Sequence, residues 1–272
     1  MNFLDLMQYQ FFQNAVLASV LASILCGIVG TYIVARRIVF ISGGITHASF
    51  GGIGMAYYFG FNPLLGAAIF AIFSALGIEF MSKKIEIRED SAIGILWSLG
   101  MAVGIIFIFL SPGYAPNLMT SLFGSILNVG RLELILMLIL SVILIVVFYF
   151  LYRPILAVAF DEEYARSQRI PVAAINYMMI VLLSLVIVMN IRVVGIILVL
   201  SLLTIPQSAA NIFTRHFGRM MGLSVLFSFI GCLSGLLLSF YGDLPSGASI
   251  IFSLVILFIL AKLFQFIFQR LK

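Results

Sequence analysis

The stretch RRIVFISGGITHASFGGIG, residues 36–54, contains the pattern that decides the fold. An arginine pair, Arg36 and Arg37, closes one apolar run, and a second apolar run rich in glycine follows and contains His47. Glycines remove side chains and let another helix or a passing solute approach closely. An ionisable residue inside a membrane span is costly, so His47 is a candidate functional residue. The pattern indicates closely packed membrane helices with a transport path beside His47.

The composition excludes a soluble protein. Of the 272 residues, 63% are hydrophobic and 9% are charged, whereas soluble domains contain about 25% charged residues. Since a spanning helix needs about 20 apolar residues, the apolar runs predict an all-α bundle of about nine membrane helices, with eight as the alternative. We expect one domain, residues 1–272. The predicted spans are 11–35, 43–59, 63–82, 92–110, 131–151, 172–190, 193–211, 220–240 and 247–267.

The basic residues predict the orientation, because lysine and arginine are enriched in cytoplasmic loops. With the N-terminus outside, 13 of the 15 basic residues lie inside, and only Arg131 and Arg192 lie outside. Nine spans then place the C-terminus in the cytoplasm. The basic residues lie at span ends, so the net charge of +5 does not indicate nucleic-acid binding. Residues 111–130 are too apolar for a free loop and are predicted to form a short helix or re-entrant piece on the outer face.

The most polar segment is FDEEYARSQRIPV, residues 160–172, on the predicted inner face. Asp161 is a favourable N-cap residue, and Glu162 and Glu163 suit the first turn of a helix. The segment therefore predicts a short charged helix that has no core of its own. Either a partner protein docks on this helix, or the helix is a solvated connector, and the composition leaves both open.

A polar stripe interrupts the apolar run VVGIILVLSLLTIPQSAAN, residues 193–211. Pro206 removes a backbone hydrogen bond in the middle of this span. Ser201, Thr204 and Ser208 are three and four residues apart, so one helix would place them on a shared face. The stripe is then a pore lining or a seam of hydrogen bonds between helices, and the residues alone favour the seam.

Several catalytic signatures are absent from the sequence. There is no GxxxxGK[ST] phosphate loop and no HExxH zinc motif, so we expect no enzymatic activity in this chain. No paired acidic residues lie deep in a predicted span, which argues against a proton- or sodium-driven carrier. Backbone carbonyls at broken helices can also bind ions, however, so a secondary carrier or a ligand-binding membrane scaffold stays an alternative.

Four segments in order resemble the permease subunits of bacterial ABC importers for zinc, manganese and iron. They are RRIVFISGGITHASFGGIG, SAIGILWSLGMAVGII at 91–106, LFGSILNV at 122–129 and VVGIILVLSLLTIPQSAA at 193–210. The resemblance implies a multi-pass protein of the bacterial inner membrane that forms a permease homodimer with a pore between the copies. It also implies two cytoplasmic ATP-binding subunits and an outer metal-binding protein. The chain would hold no permanent cofactor, and the metal would be its cargo.

The resemblance assigns the metal path to the glycine-rich helix. The family's usual pattern there has an aspartate and a histidine four residues apart, facing the pore. The histidine is kept as His47, whereas the aspartate position is Gly43. The implied metal path contains His47 as the ligand, with Gly43, Gly44, Ser201, Thr204 and Ser208. Loss of the carboxylate disfavours Mn²⁺ more than Zn²⁺, so zinc is the expected cargo, with manganese, iron or a metal chelate as alternatives.

The resemblance also assigns residues 161–172 to the contact with the ATP-binding subunit. The family usually has a glycine before the next hydrophobic residue, here Ile170, and Arg169 stands at that position in this chain. The predicted docking residues are Asp161, Glu162, Glu163, Ala165 and Arg169.

Overall fold

The computed structural model describes residues 6, 8–111 and 126–270. In these ranges all repetitive structure is helical and there is no strand, which confirms the all-α prediction. The α-helices are α1 Gln10–Arg36, α2 Val39–Phe59, α3 Pro63–Lys84, α4 Glu89–Leu110, α5 Arg131–Phe150, α6 Tyr152–Phe160, α7 Glu162–Ser167, α8 Val172–Val194, α9 Ile196–Leu202, α10 Ile205–Phe213, α11 Phe217–Gly242 and α12 Ser246–Arg270.

Eight segments of the described chain are long and apolar enough to cross a membrane, with α9 and α10 together forming one of them. They match eight of the nine predicted spans, and the protein is therefore a multi-pass membrane protein. The ninth prediction, 43–59, forms α2, whose glycines, hydroxyl residues and histidine lower its hydropathy. Of the 21 residues of α2, 13 are buried. The orientation of the termini stays a prediction.

Two parts of the helix pattern differ from the sequence prediction. The span predicted at 131–151 ends at Phe150, and a separate helix, α6, begins at Tyr152. Pro154 lies in the first turn of α6, where a missing N–H costs no helical hydrogen bond. The outer element predicted at 111–130 falls mostly on 112–125, outside the described residues. Its described end, Ile126–Asn128, is a single 3-10 turn.

Backbone contacts group the chain into two units. The first unit includes α1 as far as Ala35, most of α5 and α9 to α12, and the second unit begins at Arg36. In the first unit α11 packs against α12, and α10 contacts both. The second unit includes α2, α3, α4, α6, α7 and most of α8, and α2 packs against both α3 and α4. The prediction of a single domain concerns the whole chain and stays a prediction.

Within the second unit, glycines allow α2 to approach the backbones of its two neighbours. A Cβ atom added at Gly52 would overlap the carbonyl of Gly66 in α3, and one added at Gly54 would overlap the backbone of Gly104 in α4. Membrane helices associate through such close packing, because lipid gives no hydrophobic drive for helices to pair. The glycines of α2 therefore determine how tightly the second unit packs.

We expect Gly52→Ala to destabilise the protein by about 1–3 kcal/mol, since the added methyl group forces two backbones apart. Gly94→Ala is the matched control, because a Cβ atom at Gly94 of α4 meets nothing within 4 Å. The control should equal or slightly exceed wild-type stability, because alanine is the better helix former. Thermal unfolding of the purified variants in detergent measures both effects, and equal stability of the two variants would contradict the packing argument.

The predicted orientation is tested by labelling single introduced cysteines in intact cells. Cys26 and Cys232 are buried free thiols, so their background labelling is low. Phe61→Cys, in the exposed α2–α3 connection, should react with a membrane-impermeant maleimide. Ser167→Cys, at the exposed end of α7, should react only after the membrane is opened. Labelling of position 167 but not position 61 in intact cells would reverse the orientation.

Candidate functional site

His47 lies near the middle of α2, and its imidazole stacks on the indole of Trp97 in α4. The ring centroids are 4.1 Å apart and the ring planes differ by 7°. His47 is half-buried, and Trp97, which is the one tryptophan of the chain, is 37% exposed. The stack therefore lies at an edge of the α2–α4 pair that the described residues leave partly open.

The close packing of α2 on α4 positions this stack. A Cβ atom at Gly44 would lie 2.6 Å from Cγ2 of Ile93, so the glycine lets the α4 side chain approach. Gly44 and His47 are three residues apart on α2, and Ile93 and Trp97 are four apart on α4, so both contacts lie on the same interface. Sequence reasoning missed Trp97, although its spacing from Ile93 indicates that the two share a helix face.

The serine and threonine side chains of α2 form hydrogen bonds with the backbone of their own helix. The hydroxyls of Ser42, Thr46 and Ser49 donate hydrogen bonds of 2.6–2.7 Å to carbonyls three or four residues earlier. Gly43, one turn before His47, is buried and offers no side-chain ligand. Among the described residues, no group of three or more His, Cys, Asp or Glu could hold a metal ion. One copy of the chain thus presents a single imidazole at this site.

The predicted polar stripe does not lie on one continuous helix, which corrects the sequence interpretation. The span breaks between α9 and α10, so Ser201 belongs to α9, Thr204 precedes α10, and Ser208 lies in α10. Pro206 is in the first turn of α10, where its missing N–H is tolerated. Each hydroxyl donates to a carbonyl four residues earlier, at 3.4, 2.8 and 2.8 Å respectively. All three side chains are partly exposed, and their place on the metal path stays a prediction.

The sequence interpretation assigned a hydrogen bond between helices to the serine and threonine hydroxyls, but Gln207 makes this bond. Its Nε2 donates to the Cys26 carbonyl of α1 at 2.8 Å and to the Leu202 carbonyl at the helix break at 3.0 Å. A Cβ atom at Gly30 would overlap the Gln207 amide, so glycine makes room for it. The sequence does indicate this role, because the amide of Gln207 directly follows the mid-span Pro206. A proline breaks the helix and leaves backbone carbonyls without partners, which an amide can bond.

At the other end of the second unit, three side chains clamp α7 to the membrane helices. The Arg36 guanidinium donates to Glu162 Oε1 at 2.5 Å and to Asn176 Oδ1 at 2.8 Å. The Asn176 amide donates to the same Glu162 oxygen at 3.0 Å. The side chains of Arg36 and Glu162 are only 21% and 27% exposed, so water screens their attraction less than at an open surface.

The clamp is charge-dependent. Partial burial alone would raise the pKa of Glu162, but the hydrogen bond from Asn176 and the charges of Lys83 and Arg36 outweigh burial and lower that pKa. Glu162 is thus held as a carboxylate, and it faces into the chain. Glu162 was predicted as a docking residue. Its contacts with Arg36 and Asn176 within the chain were not predicted from the sequence.

The short helix α7 confirms the predicted local structure. The Asp161 carboxylate accepts a hydrogen bond of 2.9 Å from the Tyr164 N–H, as an N-cap does. Arg169 follows the helix with φ +57°, the left-handed conformation that glycine adopts at little cost. The Ile170 N–H bonds to the Ala165 carbonyl at 3.0 Å and closes the helix end.

The predicted docking residues differ in their exposure. Ala165 is completely buried within the chain, whereas Glu163, Arg169 and the neighbouring Tyr164 are exposed. An open groove of about 560 Å³ adjoins α7, and its lining includes Lys83, Arg166 and Tyr177. A docking partner would therefore reach Glu163 and Arg169 directly. Glu162 and Ala165 would act through the shape that they give to α7.

We expect Glu162→Gln to destabilise the protein by about 1–2 kcal/mol at pH 7, because it weakens hydrogen bonds to a charged group. The folded-state pKa of Glu162 is lowered, so its stabilisation is complete above the ordinary glutamate value of about 4.3 and is lost as the pH falls below that value. The difference between variant and wild type in thermal unfolding should therefore disappear in acid.

The matched control is Glu163→Gln, which makes the same chemical change at an exposed neighbour and should leave stability unchanged. Trypsin adds a local measurement, because Arg166 and Arg169 are exposed. Cleavage at these sites should become faster in Glu162→Gln and not in Glu163→Gln. Equal behaviour of the two variants would contradict the clamp.

Comparisons with known proteins identify the family of the chain. The model of the ABC 3 transport family matches residues 8–265. An uncharacterized membrane protein of Synechocystis is 42% identical over 95% of this chain and 92% of its own length. The manganese transport system membrane protein MntC of Halalkalibacterium halodurans is 36% identical over 96% of this chain and 89% of its own. PsaBC from Streptococcus pneumoniae, solved in complex with Fab, has a similar fold with a TM-score of 0.85 and 28% identity, covering 94% of this chain and 92% of that one.

Proposed function

Because the chain belongs to the ABC 3 transport family, we propose that it is the membrane-spanning subunit of an ATP-driven importer of divalent metal ions. The observation on which this proposal depends most is a histidine near the middle of the glycine-rich helix α2, half-exposed and stacked on an aromatic ring. The relative named for manganese transport supports a metal cargo. A chain that moves a metal ion between two aqueous sides needs no catalytic group of its own.

ATP hydrolysis is assigned to partner chains. The sequence has no GxxxxGK[ST] loop, so the energy must come from a separate ATP-binding subunit. The exposed surface of α7, with Glu163 and Arg169, is the proposed contact for that subunit on the cytoplasmic side. The contacts of Glu162 with Arg36 and Asn176 would transmit movement of α7 to α8. A metal-binding protein on the outer side would deliver the ion.

A second copy of the chain is proposed to complete the metal path. The His47–Trp97 edge is partly open, and a polar ring facing lipid in mid-span is costly. A homodimer that covers this edge would place two imidazoles along one path. Alternating access of such a dimer would then expose them first to the outer side and afterwards to the cytoplasm.

Zinc is the proposed cargo. Imidazole suits zinc well, and for a given site the divalent ions bind in an order that places manganese among the weakest. With Gly43 one turn from His47, this part of the path has no carboxylate oxygen for a hard cation. Manganese is the second candidate, because a relative 36% identical to this chain is named for manganese transport.

We expect His47→Ala to abolish zinc uptake, because stripping water from the ion without a replacing ligand raises the barrier. The control is His216→Ala, which removes the only other histidine, an exposed residue before α11. Gly43→Asp should increase manganese uptake relative to zinc, because its carboxylate shares a helix face with His47.

The measurement is uptake of radioactive zinc and manganese by the assembled complex in liposomes, with its metal-binding protein present and with or without ATP. Wild-type uptake by His47→Ala would exclude the proposed path. Uptake that continues without ATP would instead favour a secondary carrier. A wild-type preference for manganese in competition would replace zinc as the cargo.

A further inference from the structure

We propose that Trp97 is a positioning residue for the transported metal: its indole face orients the His47 imidazole and favours the metal-bound form of that ring. This inference rests on the proposed function, because it assigns a role at the same metal path. The observation behind it is the parallel stack of the two rings, 4.1 Å apart with planes differing by 7°.

The geometry of the stack leaves the metal-binding atoms free. Both imidazole nitrogens have their lone pairs or protons in the plane of the ring, so a ligated ion lies in that plane. Trp97 covers one face of the ring and not its edge, because the two planes are nearly parallel. The indole therefore limits the tilt of the imidazole without competing for the ion. An edge-to-face contact would instead direct one ring edge into its neighbour.

Among the described residues, His47 has no partner of the kind that usually orients a metal-binding histidine. Such a ring commonly donates its second N–H to a carboxylate, a backbone carbonyl or a water molecule. At the position one turn before His47, Gly43 supplies no carboxylate, and the described residues form no hydrogen bond to the imidazole. The contact that fixes the ring within the described chain is the indole of Trp97.

The indole also distinguishes the two states of the imidazole. The face of an aromatic ring is electron-rich and attracts cations, and tryptophan is the strongest of the aromatic residues in this respect. Coordination of a divalent ion withdraws electrons from the imidazole and makes the ring more positive. The stack then becomes stronger when the metal is bound, so Trp97 contributes to metal affinity as well as to packing.

Two substitutions separate this role from packing alone. Trp97→Phe keeps an aromatic face, whereas Trp97→Leu keeps an apolar side chain without one. Zinc binding by the purified full-length chain, measured by equilibrium dialysis, should weaken about threefold to tenfold in Trp97→Leu. Trp97→Phe should restore most of that affinity. Equal affinity of Trp97→Leu and wild type, with both folded, would overturn the proposal.

The single tryptophan gives a second measurement that needs no change at Trp97 and stays decisive if a variant fails to fold. In the purified wild-type chain in detergent, all tryptophan fluorescence comes from Trp97. Titration with Zn²⁺ should change this fluorescence with saturation, and the same titration of His47→Gln should not. Mg²⁺ should have no effect in either protein. A wild-type emission that zinc does not alter, or a response that persists in His47→Gln, would overturn the proposal.

The outcomes separate this inference from the proposed function. If His47→Ala loses zinc uptake while zinc leaves Trp97 fluorescence unchanged, the metal path stands and the role of Trp97 is wrong. If His47→Ala retains uptake while zinc alters Trp97 fluorescence only when His47 is present, the stack binds metal but does not lie on the path.

Discussion

The close backbone approach of α2 to α3 and α4 is the constraint on which the second unit depends. Helix α2 contains hydroxyls, an imidazole and glycines, and lipid cannot hydrate polar groups. Its hydroxyls are satisfied by the carbonyls of their own turns, so they add no bond to a neighbour. Stability must then come from van der Waals contact, and the contacts at Gly52 and Gly54 provide it. The same approach places Ile93 and Trp97 against the face that contains His47.

The Arg36–Glu162 pair and the His47–Trp97 stack are stabilised by different interactions, because they lie in different surroundings. Near the aqueous end, Glu162 and Arg36 both keep their charges, and their mutual attraction offsets partial burial. In mid-span a permanent charge would be far more costly. In α2 the chain presents an imidazole stacked on an indole, and on the proposed metal path positive charge would enter with the transported ion.

Local patterns in the sequence predicted most of the architecture. Apolar length located the spans, Asp161 before two glutamates predicted the cap of α7, and the mid-span Pro206 indicated a broken helix. The contacts that these patterns did not predict involve partners distant in the chain. Glu162 lies against Arg36 and Asn176, which are 126 and 14 residues away, and Gln207 reaches a carbonyl 181 residues away. Helical periodicity shows which side chains lie on the same face of a helix, but it does not show which other helix packs against that face.

On the proposed metal path, the glycine at position 43 and the stacking of Trp97 on His47 would have a common physical consequence. An empty path with an acidic residue in mid-span contains a charge that must be paired or protonated when no ion is present. A path with a neutral imidazole avoids that cost, but it loses the electrostatic attraction for the incoming ion. An aromatic face beside the imidazole restores part of that attraction without placing a charge in the membrane. The gain is greatest for ions that bind imidazole strongly, so on the proposed path the stack and the absent carboxylate would both favour zinc over manganese.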